Sequence, residues 1–303
     1  MRVACVGEAM VELSLDRSGG TAQVGFAGDT LNTAIYLKRS APDLEVAYVT
    51  RLGRDPFSDR MLAFMASEEL ATGAVSFSDA RHPGLYAITT DAAGERSFTY
   101  WRDRSAAREL FQTCNSVTFE ALEEFDVIYL SAITLAILPE HVRSEFCKWL
   151  GIWRGGGARV VFDSNYRPAL WADRAEAQAA IGRLWELTDI ALPSVDDELA
   201  VFGDNSVDEV VARLRSSGIR QGALKCGPDG PASLGAPVAQ AYPAARRVVD
   251  TTAAGDSFNG AYLGALLTGA SQEAALRAGH DLACRVVGVK GAILPCRNAV
   301  RSE

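Results

Sequence analysis

The sequence has no apolar run approaching the ~18 residues that a membrane-spanning helix requires, so no such span is expected. Positive charge is in deficit. Thirty Lys and Arg face 38 Asp and Glu, and the net charge of −8 argues against a nucleic-acid surface. An anionic substrate would need a local cluster of Lys and Arg to draw it in against that field. The opening MRVACVGEAMVEL lacks a basic segment followed by a long apolar one, so no signal peptide is expected. Cys5, Cys114, Cys147, Cys226, Cys284 and Cys296 are scattered, with no C-x-x-C pair. That usage predicts reduced thiols, a cytoplasmic protein and no metal cluster. No G-x-x-x-x-G-K-[ST] is present, which excludes a Walker-type ATPase. The one Gly-rich run, Gly155-Gly156-Gly157, precedes its strand, whereas dinucleotide binding needs glycines after one.

What is present is ordinary for a chain with a sizeable core: 48% hydrophobic and 22% charged over 303 residues. That length fits two domains, or one large α/β domain with an appendage. Short apolar runs at 3–6, 46–49, 127–130, 159–163, 190–192 and 223–225 read as strands. Helical periodicity separates them, notably over 142–153, 175–187 and 207–216, and Ala278-Gly279-His280 opens a further apolar helix running toward Gly288. Such alternation predicts a parallel sheet with helices on both faces, and ligands beyond its C-terminal strand ends. The polar residues of interest fall there, at 163–167, 194–198, 225–230 and around Asp256.

Two segments break the pattern. Residues 10–28 alternate Val11, Leu13 and Leu15 with polar residues, turn at Ser18-Gly19-Gly20-Thr21, and resume at Val24 and Phe26. Residues 84–102 alternate again, with a turn at Ala92-Ala93-Gly94 and then Phe98, Tyr100 and Arg102. Both read as two-faced hairpins outside the main sheet, pairing into a small sheet of their own. Packing explains Tyr86 and Tyr100 on their own terms. Arg102, within an aromatic run, is placed to clamp a carboxylate. Between the hairpins, Thr30 is a candidate helix cap, and Gly53 to Asp55 reads as a capped helix start.

The stretch 248–260, VVDTTAAGDSFNG, carries the sharpest chemistry. Small residues at Ala253, Ala254 and Gly255 open a helix on which Phe258, Ala261, Tyr262, Ala265 and Leu266 recur at helical spacing. Amides at such a turn, aided by the helix dipole, hold an anion such as a phosphate. Asp256 at that rim is either a helix cap or a general base beside a transferring phosphoryl group. An ordinary Asp pKa near ~3.9 leaves it ionised at neutral pH.

The run DTTAAGDSFNGAYLGALL resembles the C-terminal signature of the ribokinase-like (PfkB) carbohydrate kinases. The resemblance implies a three-layer α/β/α fold with a mostly parallel sheet, residues 1–303 forming one domain whose lid comes from about 10–28 and 84–102. It makes Asp256 the base and the amides of residues 253–255 the cradle of the phosphoryl group. Gly28, Asp29, Asn32, Tyr86, Tyr100 and Arg102 would meet the acceptor, together with Arg167. Asn165, Arg167, Ser194, Lys225, Gly227, Gly230 and His280 would hold ATP, with Ala253 and Gly255. Asp197 or Glu198 would order Mg²⁺ through water, and Asp250 with Thr252 would hold a monovalent cation such as K⁺. Within the family, the runs FTYWR (98–102), NYRP (165–168) and LPSVDDE (192–198) are most similar to 2-keto-3-deoxygluconate kinases. A neutral-sugar kinase and a non-catalytic sensor are the alternatives. Relatives also lead one to expect a homo-oligomer, paired through the lid.

Overall fold

In the computed structural model, residues 1–16, 20–90, 96–112 and 115–295 are described. The expected turn at Ala92-Ala93-Gly94, the Ser18-Gly19 half of that at Ser18-Gly19-Gly20-Thr21, and Cys114 and Cys296 lie outside them. The chain begins with β1 (Arg2–Val6), β2 (Met10–Leu15), β3 (Ala22–Ala27), α1 (Asp29–Ser40) and β4 (Glu45–Leu52). It continues through α2 (Pro56–Ser67), β5 (Val75–Phe77), β6 (Gly84–Thr90), β7 (Arg96–Trp101) and β8 (Val127–Ser131). Next come α3 (Ala132–Ile137), α4 (Glu140–Trp153), β9 (Arg159–Asp163), α5 (Arg174–Trp185), β10 (Ile190–Ala191) and α6 (Val195–Phe202). The last elements are α7 (Val207–Ser216), β11 (Ala223–Lys225), β12 (Pro231–Ser233), α8 (Ala254–Leu267) and α9 (Gln272–Val286).

The main sheet runs β10-β9-β8-β1-β4-β5, all parallel. Single bridges at Ala191–Gly222 and Ser194–Lys225 lead it on to β11. Because successive side chains leave a strand on opposite faces, each strand feeds two cores. Ala4, Val6, Ile128, Leu130, Val160 and Phe162 pack on one side, under residues of α4, α5 and α7. Val3, Cys5, Val127, Tyr129 and Val161 pack on the other, against α1, α8 and α9. Near-continuous apolar strands are what burial on both faces demands.

The two hairpins form a second sheet in the order β3-β2-β6-β7, with β2 and β6 parallel and both outer pairs antiparallel. Among the described residues, no helix is long and apolar enough to cross a membrane. Cys5, Cys147, Cys226 and Cys284 are unbridged, and the first two are buried.

Two local expectations change and a third holds. Gly28, not Thr30, precedes α1, and the Thr30 hydroxyl is buried against Tyr48 OH at 3.0 Å. A Cβ at Gly28 would meet the Glu8 carbonyl oxygen at 2.3 Å, so the chain turns here only with glycine. His280 lies in the middle of α9 rather than at a helix start. The capped start before α2 is as expected: Asp55 accepts from the N–H groups of Phe57 and Ser58.

Candidate active site

Strand ends, lid and helix starts enclose a cavity of about 1100 Å³. On its floor, α8 begins after Ala253, which adopts a left-handed conformation (φ 60°, ψ 17°). For a residue with a Cβ this costs roughly 1–2 kcal/mol, and it turns the chain sharply into the helix. The Ala254 N–H donates to the Thr251 carbonyl at 3.2 Å. Those of Gly255 and Asp256 fall in the first turn, where the helix itself offers no acceptor. Of the three residues expected to cradle an anion, Ala254 thus already spends its N–H within the turn, whereas Gly255 does not spend its own in the helix.

Asp256 is not a cap. Its carboxylate opens on the cavity, where Oδ2 accepts from Asn32 Nδ2 at 2.8 Å. Helices α1 and α8 make this pairing possible, because Gly260 packs directly on the backbone of Tyr36 and Leu37. Asn32 Oδ1 is buried without a partner, and Asp29 beside it accepts from Asn165 Nδ2 (2.8 Å) and Ser131 Oγ. Burial pushes Asp256 up to about 7, the nearby Asp29 and Asp163 push it further, and Asn32 and Lys225 pull against them. The ordinary carboxylate value expected from the sequence is thus wrong, because the group sits deep among like charges.

Lys225, at the end of β11, reaches toward the cradle: its Nζ would lie 3.5 Å from a Cβ on Gly255. It donates to Asp163 Oδ2 (2.8 Å) and Asn259 Oδ1 (3.1 Å), while Asn259 Nδ2 donates to the same Asp163 oxygen at 2.6 Å. Asp163 and Asn259 went unassigned in the sequence. Their signals are a carboxylate ending an apolar strand and an amide three residues after Asp256 on a buried helix face.

The inner face of the lid follows from period two. Arg96, Phe98, Tyr100 and Arg102 all line the cavity, whereas Trp101 does not. Tyr86 pairs with Tyr100 across the strands, ring centroids 5.7 Å apart, and its hydroxyl donates to Glu12. Arg102 borders the cavity but is buried in an ion pair, its Nε donating to Glu8 Oε2 at 2.9 Å. Arg96 pairs with Asp250. Its position two before Phe98 was the signal for it.

Of the four cations lining the cavity, three are thus already matched by Glu8, Asp250 and Asp163. Arg167 is the least committed, 54% exposed and 3.8 Å from Asp197. The two candidate carboxylates differ in position. Asp197 lines the cavity and burial lifts it to about 6, with Asp163 adding to the rise against Arg167 and Lys225. Glu198 faces inward, fully buried, with Arg213 Nη2 at 2.7 Å, and burial outweighs that partner to place it at about 7. Asn165 and Ser194 line the cavity. Gly227 and Gly230 stand outside it, in the turn between β11 and β12. His280 is apart as well: it is buried under Tyr242, with Nε2 2.8 Å from the Pro243 carbonyl.

A family model described as pfkB family carbohydrate kinase matches residues 1–299. The 2-dehydro-3-deoxygluconokinase of Dickeya dadantii is 42% identical over 303 residues, covering 97% of this chain and 96% of that protein. The crystal structure of a PfkB protein from Polaromonas sp. JS666 superposes with TM-score 0.83 at 25% identity, covering 98% and 97%. A Vibrio cholerae fructokinase variant bound to fructose, ADP and potassium ion shares the fold, with TM-score 0.81 at 23% identity and coverage of 96% and 93%.

Proposed function

Since the chain belongs to the PfkB family of carbohydrate kinases, we infer that it transfers the terminal phosphoryl group of ATP to 2-dehydro-3-deoxygluconate, giving the 6-phosphate and ADP. The kinase of that name aligns with nearly its whole length, so the acceptor class rests on more than the fold. One observation carries the chemistry: the Asp256 carboxylate opens on the floor of the cavity in the first turn of α8, where the helix leaves N–H groups without an acceptor of its own.

Phosphoryl transfer passes through a loose transition state, so positioning and charge neutralisation do most of the work. Gly28, Asp29 and Asn32 hold the acceptor's hydroxyls, with the unpartnered Asn32 Oδ1 free to take one. Asp256 accepts the proton of the attacking hydroxyl, and its elevated pKa suits a base working near neutrality. The first-turn N–H groups and the Lys225 ammonium, fixed by Asp163 and Asn259, meet the charge on the moving phosphate. Arg167 supports the nucleotide or product phosphate. Arg102, held in place by Glu8, faces the acid's carboxylate.

No three His, Cys, Asp or Glu converge as a metal cage among the described residues. Mg²⁺ would come with the nucleotide's phosphates and meet Asp197 through water, a mode this ion favours. Bound there, it neutralises charge on the phosphate oxygens. Trp101, 59% exposed on the outer face of the lid, supports pairing of two copies through that sheet.

The test is a set of acceptors, each with Mg·ATP: 2-dehydro-3-deoxygluconate, its galacto epimer, fructose, ribose and adenosine. The sugar acid is expected to give the highest kcat/KM, and Arg102→Ala to raise KM for the acid far more than for ATP. Preference for fructose would return the site to the neutral-sugar reading, and equal shifts in both KM values would remove Arg102 from it.

A further inference from the structure

Asp250 stands where three separate segments meet. Its side chain is 3% exposed. Oδ1 accepts from the Thr252 N–H at 3.1 Å, and Oδ2 from the Gly291 N–H at 2.7 Å. The lid supplies the remaining partner: Arg96, first residue of β7, pairs through Nη1 with Oδ2 and donates to Thr252 Oγ1 at 3.2 Å. Asp250 and Thr252 are the two residues expected to hold a monovalent cation, and a fructokinase of the same fold carries potassium. Here the carboxylate oxygen and the hydroxyl that would ligate such an ion already face a guanidinium. The two residues do not fit a metal ion while that arrangement lasts.

We propose that Arg96 is the resident cation of this site: a positioning residue that ties the closed lid to the loop opening α8, so that the enzyme needs no monovalent metal ion. The physics favours the tethered charge. A buried carboxylate holding only N–H donors on one side still requires a cation. A guanidinium carried on the same chain is supplied at high effective concentration and in a planar form that meets carboxylate and hydroxyl together. Three residues past Thr252 comes Gly255, first of the amides left without an acceptor in the helix, so whatever neutralises Asp250 also sets the amides proposed to lie under the phosphate. The pair also makes lid position and cradle geometry one event, since Arg96 lines the same cavity as Asp256.

The inference rests on the kinase reading for its rate measurement alone; its second readout, thermal unfolding, does not depend on that reading. Wild-type rates in KCl, NaCl and tetramethylammonium chloride at matched ionic strength are expected to be the same. Arg96→Ala in tetramethylammonium chloride should lose about 10- to 100-fold in kcat, the cost of a misplaced loop beside the chemistry, and recover in K⁺ or guanidinium chloride. Its unfolding midpoint should rise by about 2–4 °C when K⁺ replaces tetramethylammonium, whereas the wild-type midpoint stays put. Arg96→Lys, which keeps the charge, should remain indifferent to the salt even if weakened. A wild-type enzyme that requires K⁺, an Arg96→Ala enzyme with full activity, or a loss that no cation relieves would each overturn the proposal. If no acceptor is phosphorylated at all, the midpoints still decide it.

Discussion

At the scale of single residues, Asp256 is unusual because its surroundings oppose its charge. Burial, with Asp29 and Asp163 nearby, holds its folded pKa at about 7 against an unfolded value near ~3.9. Two consequences of opposite sense follow. As a base it must be ionised, so kcat should rise with pH through about 7 and level off above it. For stability the sign reverses. A raised folded pKa contributes stability that is complete below the unfolded value and is lost as pH rises through the folded one. Wild type should therefore lose unfolding midpoint, relative to Asp256→Asn, between about pH 4 and 7, by a few degrees per 1–2 kcal/mol. Rate profiles and paired thermal scans check both. A flat kcat across neutrality would mean that the carboxyl does not act as the base. None of this is visible in a sequence, where Asp256 has its residue type and its position in a signature but not its neighbours.

Among elements, the crossing of α1 and α8 decides the geometry, since it brings Asn32 within 2.8 Å of Asp256. A methyl group at Gly260 would fall 2.5 Å from Tyr36 Cβ and 2.7 Å from the Leu37 backbone nitrogen. Gly260→Ala gains ~1 kcal/mol of helix propensity but forces two packed backbones apart, and overpacking of this kind costs about 1–3 kcal/mol. The clash wins, because backbone cannot swing aside as a side chain does. The expected result is a lower unfolding midpoint together with reduced kcat; a stabilised, fully active variant would show that the helices have room. Elements were the most legible level. Apolar runs marked the parallel strands, and strict alternation marked the two hairpins as a separate sheet. Helix α9 was less legible: its start, at Ser271 capping with its hydroxyl, was passed over for the small residues at Ala278 and Gly279. The family resemblance put His280 on ATP, whereas its ring lies against the Pro243 carbonyl.

Over the whole molecule, the site joins the C-terminal strand ends to the lid. The sequence could indicate which residues gather there, since strand ends in an alternating chain share one edge. It could not indicate which charges cancel. Glu8 and Arg102 are separated by most of the lid, and Arg96 and Asp250 by about half of the chain, so only folding reveals that these arginines are matched. The account depends on the Asp256 carboxylate as the base. Asp256→Asn keeps the size of the side chain and removes the base, which makes it the most direct trial. It calls for kcat with 2-dehydro-3-deoxygluconate beside the dissociation constant for Mg·ATP. The expected result is a kcat lower by about 10²- to 10⁴-fold with ATP affinity unchanged; near-wild-type turnover by the variant would contradict it.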